Sequence, residues 1–116
     1  MKMSFDLDGT AYAYPTIFQV LQQALQMQGH RVGILTGHDP RQMANDLAYL
    51  TALGFRPFDF YWGTNTVNNV LATNQAKANV IIQQAIACHW DDQAVDILTI
   101  LRAQKYNQCV VFASIP

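Results

Sequence analysis

The chain has 116 residues, of which 51% are apolar and 13% are charged, and its formal net charge is -1. This composition is typical of one compact globular domain and excludes a disordered chain. The small net charge provides no broad electrostatic surface for duplex nucleic acid or an anionic membrane. No apolar run is long enough to cross a bilayer and the first residues lack a signal-peptide pattern, so we expect a soluble, cytoplasmic protein with no membrane partner.

Strands and helices alternate along the chain. Short apolar runs are followed by segments whose apolar side chains recur at helical spacing. The predicted elements are a strand at 3–7, a loop at 9–15, a helix at about 16–28, a strand at 32–35, a helix at about 40–53, a strand at 58–62, a polar loop at 63–76 with at most one helical turn, a helix at about 75–84, a strand at 85–90, a helix at about 93–104 and a strand at 110–113. The polar loop is preferred over a longer helix because its asparagines and threonines are poor helix formers.

Single residues mark several of these boundaries. Gly29 and Gly54 are expected to end the first two helices. Asp39 suits the N-cap of the second helix, with Pro40 at its first position. The cysteines, Cys88 and Cys109, fall in predicted buried strands, which favours free thiols.

This alternation predicts an α/β fold, with a parallel sheet, helices on both faces and right-handed crossovers. In such sheets ligands bind beyond the carboxyl ends of the strands, near the point where the strand order reverses. Several polar side chains fall at these ends: Asp6 and Asp8 after the first strand, Thr36 after the second, and Asp91 and Asp92 after the fourth. We therefore expect them to meet at one edge of the sheet.

The pair Asp6 and Asp8 is the most informative of these groups. Two carboxylates so close together repel each other and resist ionisation unless a cation compensates them. The alternative is a strand that ends in an acidic turn, since Asp-Gly is a common turn dipeptide.

Four separate elements occur in a telling order: Asp6-x-Asp8-Gly9-Thr10 after an apolar strand, Thr36 after the next strand, Lys77 on a helix, and the acidic pair Asp91-Asp92 after a later strand. This set resembles the haloacid dehalogenase (HAD) superfamily of phosphotransferases and phosphohydrolases, over nearly the whole chain. The first motif is complete and specific, whereas the others carry weight through their order and spacing.

The resemblance implies a phosphatase that cleaves a phosphate monoester. Asp6 would be the nucleophile that forms an aspartyl-phosphate, and Asp8 would be the general acid and then the general base. Thr36 would donate a hydrogen bond to a phosphoryl oxygen. Lys77 would neutralise charge on the phosphoryl group and on Asp6.

The resemblance also implies a bound Mg²⁺. Its expected ligands are Asp6, the backbone carbonyl of Asp8, and Asp91. Asp92 would contact the ion through water, and Asp96 is a weaker candidate one helical turn further on. One of Asp91 and Asp92 is also expected to cap the helix that follows.

Substrate contacts are expected from Gly9, Thr10, Gly37 and His38, which adjoin the first two motifs. His38 has no recognised zinc-ligand spacing. Tyr12 lies in the loop expected to cover the site.

The predicted fold is a single domain over residues 1–116: a Rossmann-like, doubly wound parallel sheet of about five strands in the order 3-2-1-4-5. The intervals at 11–30 and 37–76 are already filled by predicted elements, so no cap domain fits in them. In the family, an open site of this kind goes with large substrates or with a cap supplied by another subunit, which would require a homo-oligomer.

Other functions are compatible with these residues. A phosphorylated small molecule or a nucleotide is the expected substrate, and a polynucleotide-end phosphatase is an alternative, although no basic stripe is visible. A regulatory phospho-acceptor domain would also combine a threonine, a lysine and an acidic cluster. A third alternative is a catalytically weak binding module that retains the site.

Overall fold

A computed structural model describes residues 1–114. In chain order the elements are β1 (Lys2–Phe5), α1 (Pro15–Met27), β2 (Arg31–Thr36), α2 (Met43–Leu53), β3 (Tyr61–Gly63), α3 (Val70–Gln84), β4 (Ile86–Asp91), α4 (Ala94–Ala103) and β5 (Val110–Ala113). A wide helical turn at Leu7–Ala11 follows β1, and a 3₁₀ turn at Pro40–Gln42 precedes α2.

The strands form one parallel sheet in the order β3-β2-β1-β4-β5. The predicted α/β class, the parallel pairing and the strand order are therefore confirmed. The central strand β1 pairs with β2 on one side and with β4 on the other. The chain order reverses between β1 and β4, so the switch point of this sheet lies beyond their carboxyl ends.

Each face of the sheet has its own apolar core. On one face, Phe18 of α1 and Leu50 of α2 pack against Phe5 and neighbouring strand residues. On the other face, α3 and α4 pack against Leu35 and Ile86. Burying strands on both faces explains why they occur in the sequence as continuous apolar runs.

The predicted roles of Asp39 as N-cap and Pro40 as first residue of the helical segment before α2 are confirmed. The Asp39 side chain accepts a hydrogen bond from the Arg41 backbone N–H at 2.9 Å, and Pro40 occupies the first helical position. The first turn is a 3₁₀ turn, and the α-helix proper begins at Met43. Gly54 ends it at φ 106°, a left-handed conformation that glycine adopts without steric cost.

The prediction of a polar loop through residue 76 is wrong, because α3 already begins at Val70. The Asn69 side chain accepts a hydrogen bond from the Ala72 backbone N–H at 3.0 Å and so caps the helix. The Thr73 hydroxyl donates back to the Asn69 carbonyl at 2.9 Å. Residues with low helix propensity are favourable here because their side chains satisfy the backbone of the first turn.

Strands β1, β3 and β4 also differ from the prediction, and β1 ends at Phe5 instead of residue 7 because a helical turn begins at Leu7. Strand β3 begins at Tyr61 instead of residue 58, since the Asp59 carboxylate accepts the Val32 N–H at 2.8 Å ahead of the regular ladder. Strand β4 begins at Ile86 because Ala85 caps α3 in the left-handed region, at φ 53°.

Two further features can be compared with the sequence. The prediction of free thiols is confirmed for Cys88, in β4, and for Cys109, directly before β5. Among residues 1–114, no helix combines the length and the apolar character needed to span a membrane.

Candidate functional site

The candidate site begins where β1 and β4 end side by side. Asp6 directly follows β1, and its backbone N–H donates to the Trp90 carbonyl of β4 at 2.9 Å. Asp91 is the last residue of β4 and is fully buried. Both carboxylates therefore lie at the switch point of the sheet.

Lys77 joins these two carboxylates from above the sheet. It lies in the middle of α3, and its Nζ donates to Asp6 Oδ1 at 2.9 Å and to Asp91 Oδ2 at 2.7 Å. All three side chains are almost completely buried. One ammonium group thus bridges residues that come from opposite ends of the chain.

Asp91 has further partners that hold it in place. His89 Nε2 lies 2.8 Å from Asp91 Oδ2, and His89 Nδ1 lies 2.7 Å from the Ser4 hydroxyl. The tautomer with Nε2–H donating to Asp91 and Nδ1 accepting from Ser4 satisfies both contacts. The backbone N–H of Gln93 donates to Asp91 Oδ1 at 2.9 Å, so both oxygens of Asp91 already have donors. The prediction that Asp91 or Asp92 caps α4 is wrong, because Gln93 is the N-cap and no side chain of residues 1–114 caps the helix; Asp91 only accepts from the N–H of the capping residue.

Asp92 completes a cluster of three carboxylates. Asp6, Asp91 and Asp92 each offer one oxygen, and these oxygens lie within 4.8 Å of one another. Gly9 permits the approach of Asp92, because a Cβ at position 9 would lie 2.6 Å from Asp92 Oδ2. Gly9 also has a φ of 75°, which disfavours any residue with a side chain.

The ionisation of this cluster depends on how the ammonium charge is shared. Burial raises the pKa of Asp6 to about 8; the charge of Lys77 opposes this shift, and repulsion from Asp91 adds to it. Burial also disfavours the charged form of Asp91, but His89 and Lys77 outweigh that effect and hold its pKa well below its usual value. The pKa of Asp92 is raised, first by burial. Asp91 stays ionised because His89 acts on it together with Lys77, whereas Asp6 has only Lys77 to offset its burial.

The donor set fits a divalent cation. When they are ionised, three carboxylates face a single ammonium group, which leaves an excess of negative charge in a partly buried site. Mg²⁺ prefers carboxylate and water oxygens, and Asp92 is the carboxylate with the most solvent access. Asp6 and Asp92 are accordingly the side chains best placed to hold such an ion.

The raised pKa of Asp6 predicts how the stability of the metal-free protein depends on pH. Between about pH 4 and about pH 8, Asp6 holds a proton in the folded protein that it has lost in the unfolded chain. The contribution of Asp6 to the free energy of unfolding therefore falls as the pH rises through this range. Asp6→Asn removes this contribution. In urea denaturation with EDTA, the variant should therefore gain stability relative to wild type between about pH 5 and about pH 8. A stability difference that does not change with pH would contradict this prediction.

The side chain of Asp8 contacts a second group of residues, formed by His38 and Asp46. Its Oδ2 lies 2.8 Å from His38 Nε2, and its side chain is 67% exposed. His38 Nδ1 lies 2.9 Å from Asp46 Oδ2 on α2. Burial lowers the pKa of His38, but the hydrogen bonds to Asp46 and Asp8 outweigh this effect, so its pKa is raised.

A cavity of about 160 Å³ connects the two groups. Asp6, Asp8, Lys77 and Asp92 form its polar wall, together with Gly37 and His38 from the turn after β2. Val67 and Val70, before and at the start of α3, form an apolar wall. The carboxylates and Lys77 on the polar wall could hold a cation together with the anionic group of a ligand. The apolar wall could contact the uncharged part of the same ligand.

Other predicted site residues lie nearby but do not line this cavity. Thr36 is buried at the end of β2, and its Oγ1 accepts the His38 backbone N–H at 3.3 Å. Thr10 is fully buried, and within the described part of the chain its hydroxyl has no partner. Asp96 lines a separate surface depression beside Leu71.

Asp46 is the main residue of this region that the sequence did not reveal. It lies in α2 with no motif around it, and it accepts hydrogen bonds from the Tyr12 and Tyr61 hydroxyls at 2.7 and 2.6 Å. Its partners come from three other segments of the chain. Tyr12 was expected to cover the site, and its hydroxyl instead holds Asp46. No local pattern marks such a residue, because only its tertiary contacts distinguish it from an ordinary helix carboxylate.

Comparison of the chain with protein-family models, curated proteins and solved structures finds no match. The functional argument therefore depends on the geometry described above and on the motifs in the sequence.

Proposed function

We propose that the protein is a Mg²⁺-dependent phosphohydrolase of HAD type that cleaves a phosphate monoester through an aspartyl-phosphate on Asp6. The observation that carries this proposal is the ion-pair bridge from Lys77 to Asp6 and Asp91, with Asp92 beside it. Three motif elements that are far apart in the sequence thereby share one cavity. Phosphoryl transfer requires this combination, since the carboxylate nucleophile and the phosphate are both anionic.

The proposed reaction has two steps. An oxygen of Asp6 forms a bond to phosphorus while the ester P–O bond breaks, and the leaving oxygen takes the electron pair and a proton from Asp8. Water then attacks phosphorus and gives a proton to Asp8, and the bond from Asp6 to phosphorus breaks to release phosphate. When bound, Mg²⁺ would supply charge neutralisation between Asp6 and the phosphoryl oxygens, with Asp6, Asp92 and the Asp8 carbonyl as candidate ligands.

The cavity also supports a compact substrate. Lys77 is the only lysine or arginine among the described residues that line it, and its charge is already shared by two carboxylates; His38, the other basic residue, faces Asp8 and Asp46. A second phosphate group or a polynucleotide strand would need additional cations. Val67 and Val70 offer a neutral surface to the leaving group. We therefore favour a phosphorylated small molecule or a nucleotide over a nucleic-acid end.

Magnesium provides the direct test. With 4-nitrophenyl phosphate as substrate, Mg²⁺ should raise the rate of hydrolysis on the order of 100-fold or more above that in EDTA, because neutralising the anions contributes several kcal/mol. Mg²⁺ should also raise the melting temperature, since it binds the folded state. Hydrolysis that is unaffected by EDTA would refute the metal-dependent mechanism. A raised melting temperature without hydrolysis of any phosphate ester would instead indicate a binding module.

A further inference from the structure

Asp46 has the hydrogen bonding of an anchoring residue. It is nearly buried and accepts from the Tyr12 hydroxyl, the Tyr61 hydroxyl and His38 Nδ1, at 2.6 to 2.9 Å. These donors come from the turn after β1, from β3 and from the turn after β2. Three hydrogen bonds from separate segments stabilise the carboxylate and restrict its orientation.

His38, which is held by Asp46, in turn contacts Asp8 and restricts its orientation. The two nitrogens of one ring face two carboxylates, with Nδ1 toward Asp46 and Nε2 toward Asp8 at 2.8 Å. Within residues 1–114, His38 is the only hydrogen-bond partner of the Asp8 side chain. Asp8 is otherwise solvent-exposed, so its orientation over the cavity depends on this contact.

We propose that His38, anchored by Asp46, is a positioning residue that orients the carboxyl group of Asp8 toward the leaving-group oxygen. The inference rests on the proposed function, because it requires Asp8 to be the general acid. A general acid must lie within hydrogen-bond reach of the oxygen that it protonates, and an error of about 1 Å in position lowers the rate steeply. Positioning should therefore matter most for esters of ordinary alcohols, whose basic leaving oxygen cannot depart without the proton. It should matter least for activated aryl esters.

The test compares His38 variants on esters with different leaving groups. Benzyl phosphate, phenyl phosphate and 4-nitrophenyl phosphate form a series in which the leaving oxygen becomes progressively less basic. His38→Asn keeps a donor near the position of Nδ1, toward Asp46, whereas His38→Gln keeps a donor near the position of Nε2, toward Asp8. In both variants, kcat is measured with saturating Mg²⁺, and folding is checked by thermal melting.

We expect His38→Asn to lower kcat about 10-fold or more on benzyl phosphate and about 2-fold or less on 4-nitrophenyl phosphate. The loss on benzyl phosphate is smaller than the full contribution of a general acid because Asp8 itself is still present. His38→Gln should recover part of the loss on benzyl phosphate. The matched control is His30→Asn, since His30 lies before β2 at the opposite end of the sheet and contacts the N-terminal amine. Its kcat should equal wild type on all three esters.

Two results would overturn the inference, and they differ from each other. An equal loss on all three esters, with Gln no better than Asn, would show that His38 only supports the fold. If the wild-type protein hydrolyses none of the esters, or if the Asp6→Asn variant hydrolyses them as fast as wild type, the proposed function is refuted and the inference fails with it.

Discussion

Asp6→Asn is expected to lower the rate of phosphate-ester hydrolysis by on the order of 10⁴-fold or more. The amide cannot attack phosphorus, and the other groups of the site provide only residual catalysis when a nucleophile is removed. Neither neighbouring carboxylate is placed like Asp6, since Asp91 already accepts hydrogen bonds at both oxygens and Asp92 has no hydrogen bond from Lys77. Steady-state hydrolysis of 4-nitrophenyl phosphate in Mg²⁺ measures the loss.

Asp59→Asn is the matched control for this substitution. Asp59 lies at the opposite end of the sheet, where its side chain accepts from the Val32 N–H, and an asparagine oxygen can accept the same bond. The control should keep wild-type activity. Activity of Asp6→Asn within about 10-fold of wild type would refute an aspartyl-phosphate on Asp6.

The lifetime of the aspartyl-phosphate separates an enzyme from a phospho-acceptor domain. Both would form an aspartyl-phosphate that depends on Asp6, but only an enzyme releases phosphate over many turnovers. Supplying a small phosphodonor and following the phosphorylated protein by mass spectrometry distinguishes them. A modification that persists for minutes without turnover would favour the regulatory function.

The second large effect is on stability. Lys77→Met should lower the free energy of unfolding by about 3 to 5 kcal/mol, because it leaves Asp91, which is ionised at neutral pH, buried without this cation. Methionine is close to lysine in length and is apolar, so the change removes the charge with little loss of packing. Hydrolysis should also be lost, since the phosphoryl group would meet uncompensated carboxylates. Urea denaturation at neutral pH measures the stability.

Two comparisons attribute this loss to the buried charges. Lys105→Met removes a lysine from an exposed position and should change stability by about 0.5 kcal/mol or less. The double variant Lys77→Met/Asp6→Asn should have nearly the stability of Lys77→Met at neutral pH, since Asp6 is already protonated there once the cation is gone, and the loss is then attributed to Asp91. A Lys77→Met protein as stable as wild type would show that the bridge is not needed for folding.

The sequence was sufficient to predict the parallel α/β class because that class follows from local features and general rules, whereas the order 3-2-1-4-5 was predicted together with the family resemblance. Apolar runs alternate with amphipathic segments, and right-handed crossovers between parallel strands leave few arrangements open. The same rules place residues that follow strands at one edge of the sheet, which is why Asp6 and Asp91 could be expected to meet. The role of Lys77 followed from a family resemblance, and the structure brings its ammonium group to both carboxylates.

The misplaced starts of α3 and β3 have a common cause. The start of α3 was misplaced because propensity counts against Asn69 and Thr73, whereas the Asn69 side chain caps the first turn and the Thr73 hydroxyl donates to the Asn69 carbonyl. The start of β3 was misplaced because the Asp59 side chain takes the place of a ladder contact. In both cases a side chain forms a hydrogen bond with the backbone. Helix and strand propensities are averages over many proteins and do not include the local geometry on which such a bond depends.

The sequence by itself determined which residues come to the carboxyl edge of the sheet; the tertiary structure decided which of them touch. The contacts from Asp46 to Tyr12, Tyr61 and His38 join residues 34, 15 and 8 positions apart, and the contact from His38 to Asp8 spans 30 positions. None of these pairs lies within a single helix or strand, so no local period relates its members. They arise because two turns and a helix pack over the end of the same sheet, which only the folded chain specifies.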